Sequence, residues 1–225
     1  MALKIVKPTG LAVTVACWLW ARGGRRSDTW NMAIVWCAPL FAYPIALPGR
    51  KALNARPAIA RAEWANVPVH YAMMMALGAG IFPSIRLVSK WPGVALPVPR
   101  ELGLVLVILT GIATFMTMVN LAFRGLGAPF AAKLSSRLAT DWMFGWTRNP
   151  MLLGTLALLL TMGLWYRPVW LLLWAAVSVS PGWVFFVRVY EQRELEIRFA
   201  SAYREYRGRT PFLWPRKPEL TGQRH

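Results

Sequence analysis

Five stretches of the chain lack Asp, Glu, Lys and Arg over 18 to 22 residues: 30–48, 68–85, 102–123, 149–166 and 169–187. A helix needs about 20 apolar residues to cross a bilayer, so each stretch is long enough for a transmembrane helix. A sixth, shorter stretch at 9–21 is interpreted as a tilted span or interfacial helix. We expect it to be retained, because the "ARGGRRSD" that follows is a poor signal-peptide cleavage site. The pattern predicts an all-α, polytopic transmembrane helical bundle of five to six spans.

The net charge of +17 is concentrated in the segments that connect the apolar stretches. With the C-terminus placed in the cytoplasm and six alternating spans, 19 of the 26 Lys and Arg residues fall on the cytoplasmic side. Positive residues accumulate on that side of membrane proteins and also attract anionic lipid headgroups. We therefore predict a multi-pass integral membrane protein with a cytoplasmic C-terminus, whose partners are membrane lipids and not nucleic acid.

The cysteines and histidines predict no metal site. Cys17 and Cys37 lie in apolar stretches without the spacing of zinc ligands, and the only histidines are His70 and His225. We interpret His70 as an interfacial or helix-packing residue. The sequence indicates one integral membrane domain, with N-terminal transmembrane helices in residues 1–123 and a distinct region in 124–225.

Residues 188–209 have the pattern of an amphipathic helix. Five apolar and aromatic residues recur at helical spacing and share one face: Leu195, Phe199, Ala202, Tyr203 and Tyr206. Charged residues occupy much of the remaining surface, and Gly208 and Pro211 can end the helix. We expect a C-terminal cytoplasmic amphipathic helix that lies at the membrane surface and continues directly from the preceding span.

Arg148, Asn149 and Pro150 stand directly in front of an apolar run. Asn is a favoured helix N-cap and Pro a favoured first helical residue, so this pair can simply begin a helix. The free N–H groups of a helix start also attract anions, and an Arg beside them can hold a carboxylate or phosphate in bidentate fashion. Both interpretations are compatible with the sequence.

The short link "YRP" at 166–168 predicts that the last two spans form an antiparallel helix pair. Residues 149 and 190 then lie at the same membrane face. Arg148 and the helix start supply positive potential there, whereas Glu191 supplies negative potential. A zwitterionic ligand matches this combination, and the rings of Tyr203 and Tyr206 are available to cover a planar ring or a cation.

Together the two segments resemble the isoprenylcysteine carboxyl methyltransferase and phospholipid N-methyltransferase superfamily of integral membrane enzymes. Its first motif, Arg-(His or Asn)-Pro-Met-Tyr-x-Gly, is matched by Arg148, Asn149, Pro150, Met151 and Gly154. Its second motif, Glu-Glu-x-x-Leu-x-x-x-Phe-Gly-x-x-Tyr-x-x-Tyr and then Val-Pro-Arg, is matched by Glu191, Leu195, Phe199, Tyr203, Tyr206 and Pro211. A looser likeness lies at "GLGAPF" (125–130) and at 137–147. Four motif positions differ: Leu152 replaces Tyr, Gln192 replaces Glu, Ala200 replaces Gly and Phe212 replaces Arg.

The resemblance covers about residues 124–216. It implies an S-adenosylmethionine-dependent membrane methyltransferase that acts at the cytoplasmic face on a lipid-like or small lipophilic acceptor. The residues implied to hold the cofactor are Arg148, Asn149, Pro150, Gly154, Glu191, Gln192, Tyr203 and Tyr206. No catalytic base is assigned, because no histidine lies near the motifs in sequence. This favours an acceptor that arrives deprotonated or loses its proton to water.

Two alternative functions stay open. Membrane sterol reductases share an Arg-x-Pro-x-x-x-Gly start and a similar C-terminal helix but use NADPH, and they commonly carry an acidic residue at the position of Thr155. The other alternative is a non-enzymatic scaffold or assembly subunit that retains the fold, because Leu152 and Gln192 depart from the motifs. The sequence does not indicate an oligomeric state.

Overall fold

A computed structural model describes residues 2–23, 26–91, 93–124 and 137–218. The structure is 83% helix, with no strand in these ranges, which confirms the predicted all-α class. The α-helices in these ranges are α1 (Ala2–Gly23), α2 (Asp28–Cys37), α3 (Ala42–Ala55), α4 (Ile59–Lys90), α5 (Arg100–Arg124), α6 (Met143–Trp146), α7 (Pro150–Tyr166), α8 (Val169–Leu173), α9 (Ser180–Phe186) and α10 (Gln192–Arg209). A 3-10 turn, Ala38–Phe41, joins α2 to α3. Two π-helical turns, Trp174–Val179 and Val187–Glu191, join α8 to α9 and α9 to α10.

Four helical stretches are long and apolar enough to cross a membrane: Asp28–Ala55, Ile59–Lys90, Arg100–Arg124 and Val169–Arg209. They contain four of the five predicted charge-free stretches. The fifth forms α7, which has 17 residues and is shorter than these four. The sixth, at 9–21, lies within α1. The count of five to six spans therefore stays a prediction.

The last helical stretch runs without a loop from Val169 to Arg209 but contains both π-helical turns. Pro181 explains the first turn, because proline has no N–H to donate to the carbonyl four residues earlier. Next to it, the Ser180 hydroxyl donates to the Ala175 carbonyl, five residues back, at 2.7 Å. Each π turn accommodates an extra residue, so the side chains of this stretch do not follow one helical period.

The centre of the fold joins this last stretch to the bend between α2 and α3. Pro39 cannot donate to the carbonyl of Val35, four residues earlier, and the indole N–H of the buried Trp174 donates to that carbonyl instead, at 2.7 Å. One helical turn further, the Ser178 hydroxyl donates to the Trp36 carbonyl at 2.9 Å. The Trp174 side chain thus supplies the hydrogen bond that the Val35 carbonyl loses because Pro39 has no N–H.

Helices α5 and α7 approach closely at two glycines. A Cβ atom on Gly154 would lie 2.8 Å from Thr114 Oγ1, and one on Gly103 would lie 2.6 Å from the Cα of Trp165. Between these points the hydroxyls of Thr110 and Thr161 are hydrogen-bonded at 2.9 Å. Small residues and hydroxyl groups are typical of helix interfaces in membranes, where apolar burial alone does not drive association. The position of the α7 start is therefore set by α5.

We expect Gly103→Ala to lower the stability of the α5–α7 pair by about 1–3 kcal/mol, because the added methyl group meets backbone atoms that cannot move independently. The measurement is the melting temperature of the purified protein in detergent. Gly111→Ala is the matched control on the same helix, since its Cβ would meet only a Leu158 methyl carbon at 4.0 Å. Equal melting temperatures for the two variants would contradict the close approach at Gly103.

Candidate active site

A cavity of about 200 Å³ lies between α4, the start of α7, the second π turn and α10. Six of the eight predicted cofactor residues line it: Arg148, Asn149, Pro150, Glu191, Tyr203 and Tyr206. The structure thus brings the two predicted segments to one hollow. The segment "GLGAPF" at 125–130 lies outside the described residues, whereas Arg137, Leu138 and Ala139 from the following segment line the cavity.

The other two predicted residues, Gly154 and Gln192, do not line the cavity. Gly154 lies on the side of α7 that touches Thr114 of α5, so its place in the motif is explained by helix packing. Gln192 follows Glu191 directly, and consecutive residues of a helix point about 100° apart. A side chain at 192 is therefore turned away from a hollow that Glu191 faces.

Arg148 brings a guanidinium group with unused donors to the cavity. Its backbone N–H donates to the Pro211 carbonyl at 2.9 Å, which fixes the main chain. Its side-chain Nε and Nη1 atoms are buried and have no hydrogen-bond partner among the described residues. The guanidinium lies 5.8 Å from the centre of the Phe212 ring and next to Tyr203. Buried donors without acceptors are costly, so this arrangement favours a bound anion.

Asn149 occupies the N-cap position of α7 but makes no side-chain capping bond. Its amide instead donates to the Phe212 carbonyl at 2.8 Å, and the Thr147 hydroxyl donates to the same oxygen at 3.1 Å. The first turn of α7, which begins at Pro150, keeps its own N–H groups without a side-chain cap. The interpretation of Asn149 as an N-cap is right about its position and wrong about its hydrogen bond.

The segment after α10 folds back along the segment before α7. The Arg216 N–H donates to the Trp146 carbonyl at 3.0 Å, and the Tyr206 hydroxyl donates to the Phe144 carbonyl at 2.7 Å. Phe212, where the superfamily motif has Arg, lies at the centre of this contact. Its ring is flanked by Arg148 and by Arg188, whose guanidinium is 4.5 Å from the ring centre. Phe212 thus helps to position Arg148.

Glu191 supplies the negative charge of the cavity. It is the last residue of the second π turn, and it forms no ion pair with the described residues. It lies close enough to Tyr203 and to Glu194 to interact electrostatically with both. One hollow therefore contains a guanidinium with unused donors and a carboxylate without a counter-ion.

Glu194, Arg198 and Asn66 also line the cavity, although none of them is among the eight predicted cofactor residues. Glu194 is only 1% exposed and pairs with Arg198 at 2.8 Å, while the Asn66 side chain lies beside its carboxylate. The Glu–Arg spacing of four residues was visible, but the same spacing is common on exposed helices. Nothing in the sequence around Asn66 indicated that this residue lies at the cavity.

His70 also lines the cavity, from α4. Its Nδ1 is 3.0 Å from the Asn66 carbonyl, and its ring packs edge-on against Phe186 with centroids 5.4 Å apart. The interpretation of His70 as a packing residue therefore describes only part of its environment. No histidine lies near the motifs in the sequence, but α4 brings His70 into the same hollow as the motif residues.

The predicted apolar face of the C-terminal helix is not continuous. Ala200 has φ 44° and ψ −116°, a conformation that disfavours a side chain, and it breaks the helical path inside α10. Leu195 and Phe199 line the cavity before the break, and Tyr203 and Tyr206 line it afterwards, but Ala202 is exposed. The superfamily motif has glycine at the position of Ala200, and this backbone conformation favours glycine.

Residues 98–202 match the sequence model of the phospholipid methyltransferase family. This match confirms the resemblance to the isoprenylcysteine carboxyl methyltransferase and phospholipid methyltransferase superfamily. It includes Arg148 and Glu191 but not α1 to α4, and it ends just before Tyr203. Comparison with curated proteins and with solved structures gave no significant match. The four apolar helices indicate an integral membrane protein, and just under half of the chain is similar to a family of methyltransferases.

Proposed function

Because residues 98–202 match the phospholipid methyltransferase family, we propose that this protein is an S-adenosylmethionine-dependent methyltransferase that acts on a lipid-like or small lipophilic acceptor. The observation that carries the proposal is that one cavity contains both a guanidinium group with unused hydrogen-bond donors and a carboxylate without a counter-ion. Arg148 has buried donors without acceptors, and Glu191 has no counter-ion among the described residues. A ligand that contains both a carboxylate and an ammonium group matches them.

The residues present fit the amino-acid end of the cofactor. We assign its carboxylate to Arg148 and to the uncapped first turn of α7, where backbone N–H groups favour an anion. We assign its ammonium group to Glu191. Because the cavity encloses about 200 Å³ and typical ligand sites enclose about 300–1,000 Å³, we place the charged end and the sulfonium methyl inside it and the adenosine outside. When bound, S-adenosylmethionine supplies a methyl group on an electrophilic sulfonium.

The chain's own task is then to orient the two reactants and to exclude water. Apolar side chains from both halves of the chain form much of the cavity wall, among them Met73, Leu77, Leu152 and Trp183. Leu152, where the motif has Tyr, is buried in this wall. A wall of this composition favours a lipophilic acceptor.

We also place the cavity and the C-terminus on the cytoplasmic side. The support is the distribution of positive charge, since 19 of the 26 Lys and Arg residues fall on that side when the C-terminus is cytoplasmic. S-adenosylmethionine is a charged, water-soluble molecule, so its site has to open to an aqueous compartment. Membrane lipids are the proposed surroundings and the source of the acceptor.

Calorimetric titration of the purified full-length protein in lipid nanodiscs tests this function. We expect saturable binding of S-adenosylmethionine and no binding of NADPH. Transfer of a labelled methyl group to extracted membrane lipids or small lipophiles should follow. Binding of NADPH without S-adenosylmethionine would indicate the reductase chemistry instead. Binding of neither would favour a scaffold that has kept the fold.

A further inference from the structure

His70 places an imidazole in the cavity from outside the part of the chain that matches the family. It lies on α4, whereas the match covers residues 98–202. The cavity wall nevertheless contains His70 together with Arg148 and Glu191. Because an imidazole ring can accept a proton, its position in the proposed methyl-transfer cavity suggests a part in the reaction.

The hydrogen bond of His70 determines which ring nitrogen is available. Nδ1 lies 3.0 Å from the Asn66 carbonyl oxygen, which can only accept, so the neutral ring carries its hydrogen on Nδ1. Nε2 then has a free lone pair, and it has no hydrogen-bond partner among the described residues. Contacts with Phe186 at 5.4 Å and Tyr190 at 6.0 Å hold the ring in this orientation.

Both carboxylates of the cavity are committed elsewhere. Glu194 is paired with Arg198 at 2.8 Å and lies beside Asn66. Glu191 and Arg148 are assigned above to the two charges of the cofactor. Among the described residues that line the cavity, His70 is therefore the group left with a free basic nitrogen.

We propose that His70 is the general base of the reaction, an inference that rests on the proposed function. His70 Nε2 takes the proton that the acceptor atom loses as it bonds to the methyl carbon. The methyl–sulfur bond breaks at the same time, and its electron pair remains on the sulfur. This assignment implies an acceptor whose nucleophilic atom carries a proton, such as an amine, hydroxyl or thiol. It reverses the expectation of an acceptor that arrives deprotonated.

The first test measures binding without the cofactor. The full-length Glu191→Leu protein, which lacks the carboxylate that would also accept from an ammonium N–H, is titrated in nanodiscs with octylamine and with octyltrimethylammonium. The two ligands carry the same charge, but only octylamine has N–H groups. We expect about tenfold tighter binding of octylamine, the value of one hydrogen bond, after subtraction of empty nanodiscs. His70→Phe keeps the aromatic packing and should abolish this preference. A preference that survives in His70→Phe would overturn the inference.

The second test measures labelled methyl transfer from S-adenosylmethionine to octylamine, octanethiol and octanoic acid. We expect His70→Phe and His70→Gln to lower transfer to the amine or thiol by about 100-fold or more, with unchanged affinity for S-adenosylmethionine. Transfer to octanoic acid alone, transfer to none of the three, or equal rates in the variants would overturn the inference while leaving cofactor binding standing. Failure of the wild-type protein to bind S-adenosylmethionine would overturn the proposed function, and this inference with it.

Discussion

Arg148→Ala is expected to weaken the binding of S-adenosylmethionine by about 10- to 100-fold. The Nε and Nη1 atoms of Arg148 are buried without partners, so a ligand carboxylate would form charge-assisted hydrogen bonds with them. Such bonds are worth about 1.5–3 kcal/mol, and every 1.4 kcal/mol changes Kd tenfold. The measurement is calorimetric titration of the purified variant in nanodiscs. Arg148→Lys should recover part of the loss, because it restores the charge but not the planar fork.

Arg188→Ala is the matched control for this experiment. Arg188 lies over the same Phe212 ring as Arg148, 4.5 Å from its centre, but it does not line the cavity. Its removal takes away one cation near the ring and leaves the assigned carboxylate contacts intact, so we expect a Kd close to that of the wild type. A folded Arg148→Ala variant with unchanged affinity would contradict the assignment and favour the scaffold alternative.

That the two motif segments lie close together in space was predictable, because their proximity follows from the order and direction of the helices. Charge-free stretches of about 20 residues form helices in a bilayer, and the connection between α7 and α8 consists only of Arg167 and Pro168. A helix pair with so short a link has to be antiparallel, so the start of α7 and the end of the next helix meet at one face. Chain geometry and the sequence positions of Arg148 and Glu191 are therefore enough to place these two residues at the same face.

The contribution of α4 was not predictable, because nothing local in the sequence relates it to the motifs. His70 and Asn66 reach the cavity through packing against α9 and α10, more than a hundred residues further along the chain. The break at Ala200 was missed for a different reason. Alanine favours helix, and only the glycine at the corresponding motif position indicated a backbone that α-helical periodicity does not describe.

The burial of the Glu194–Arg198 pair was also invisible in the sequence, and it leads to a large expected effect on stability. Arg198→Met is expected to destabilise the protein by about 3–5 kcal/mol, because it removes the cation from a carboxylate whose side chain is only 2% exposed. The substitution keeps most of the side-chain volume, so the loss reports on charge and not on a cavity. The measurement is the melting temperature in detergent, which should fall by about 6–20 °C for a chain of this size.

Arg209→Met is the matched control, since it makes the same substitution in the same helix at the same spacing. Arg209 pairs with Glu205 at 3.5 Å, but the two side chains are 47% and 75% exposed, and exposed pairs contribute about 0–1 kcal/mol. The double variant Glu194→Leu, Arg198→Met should regain most of the lost stability, because replacing both members of a buried pair by apolar groups is often neutral. Equal melting temperatures for Arg198→Met and Arg209→Met would show that the buried pair contributes no more to stability than the exposed one. A double variant no more stable than Arg198→Met would show that the loss comes from packing instead of charge.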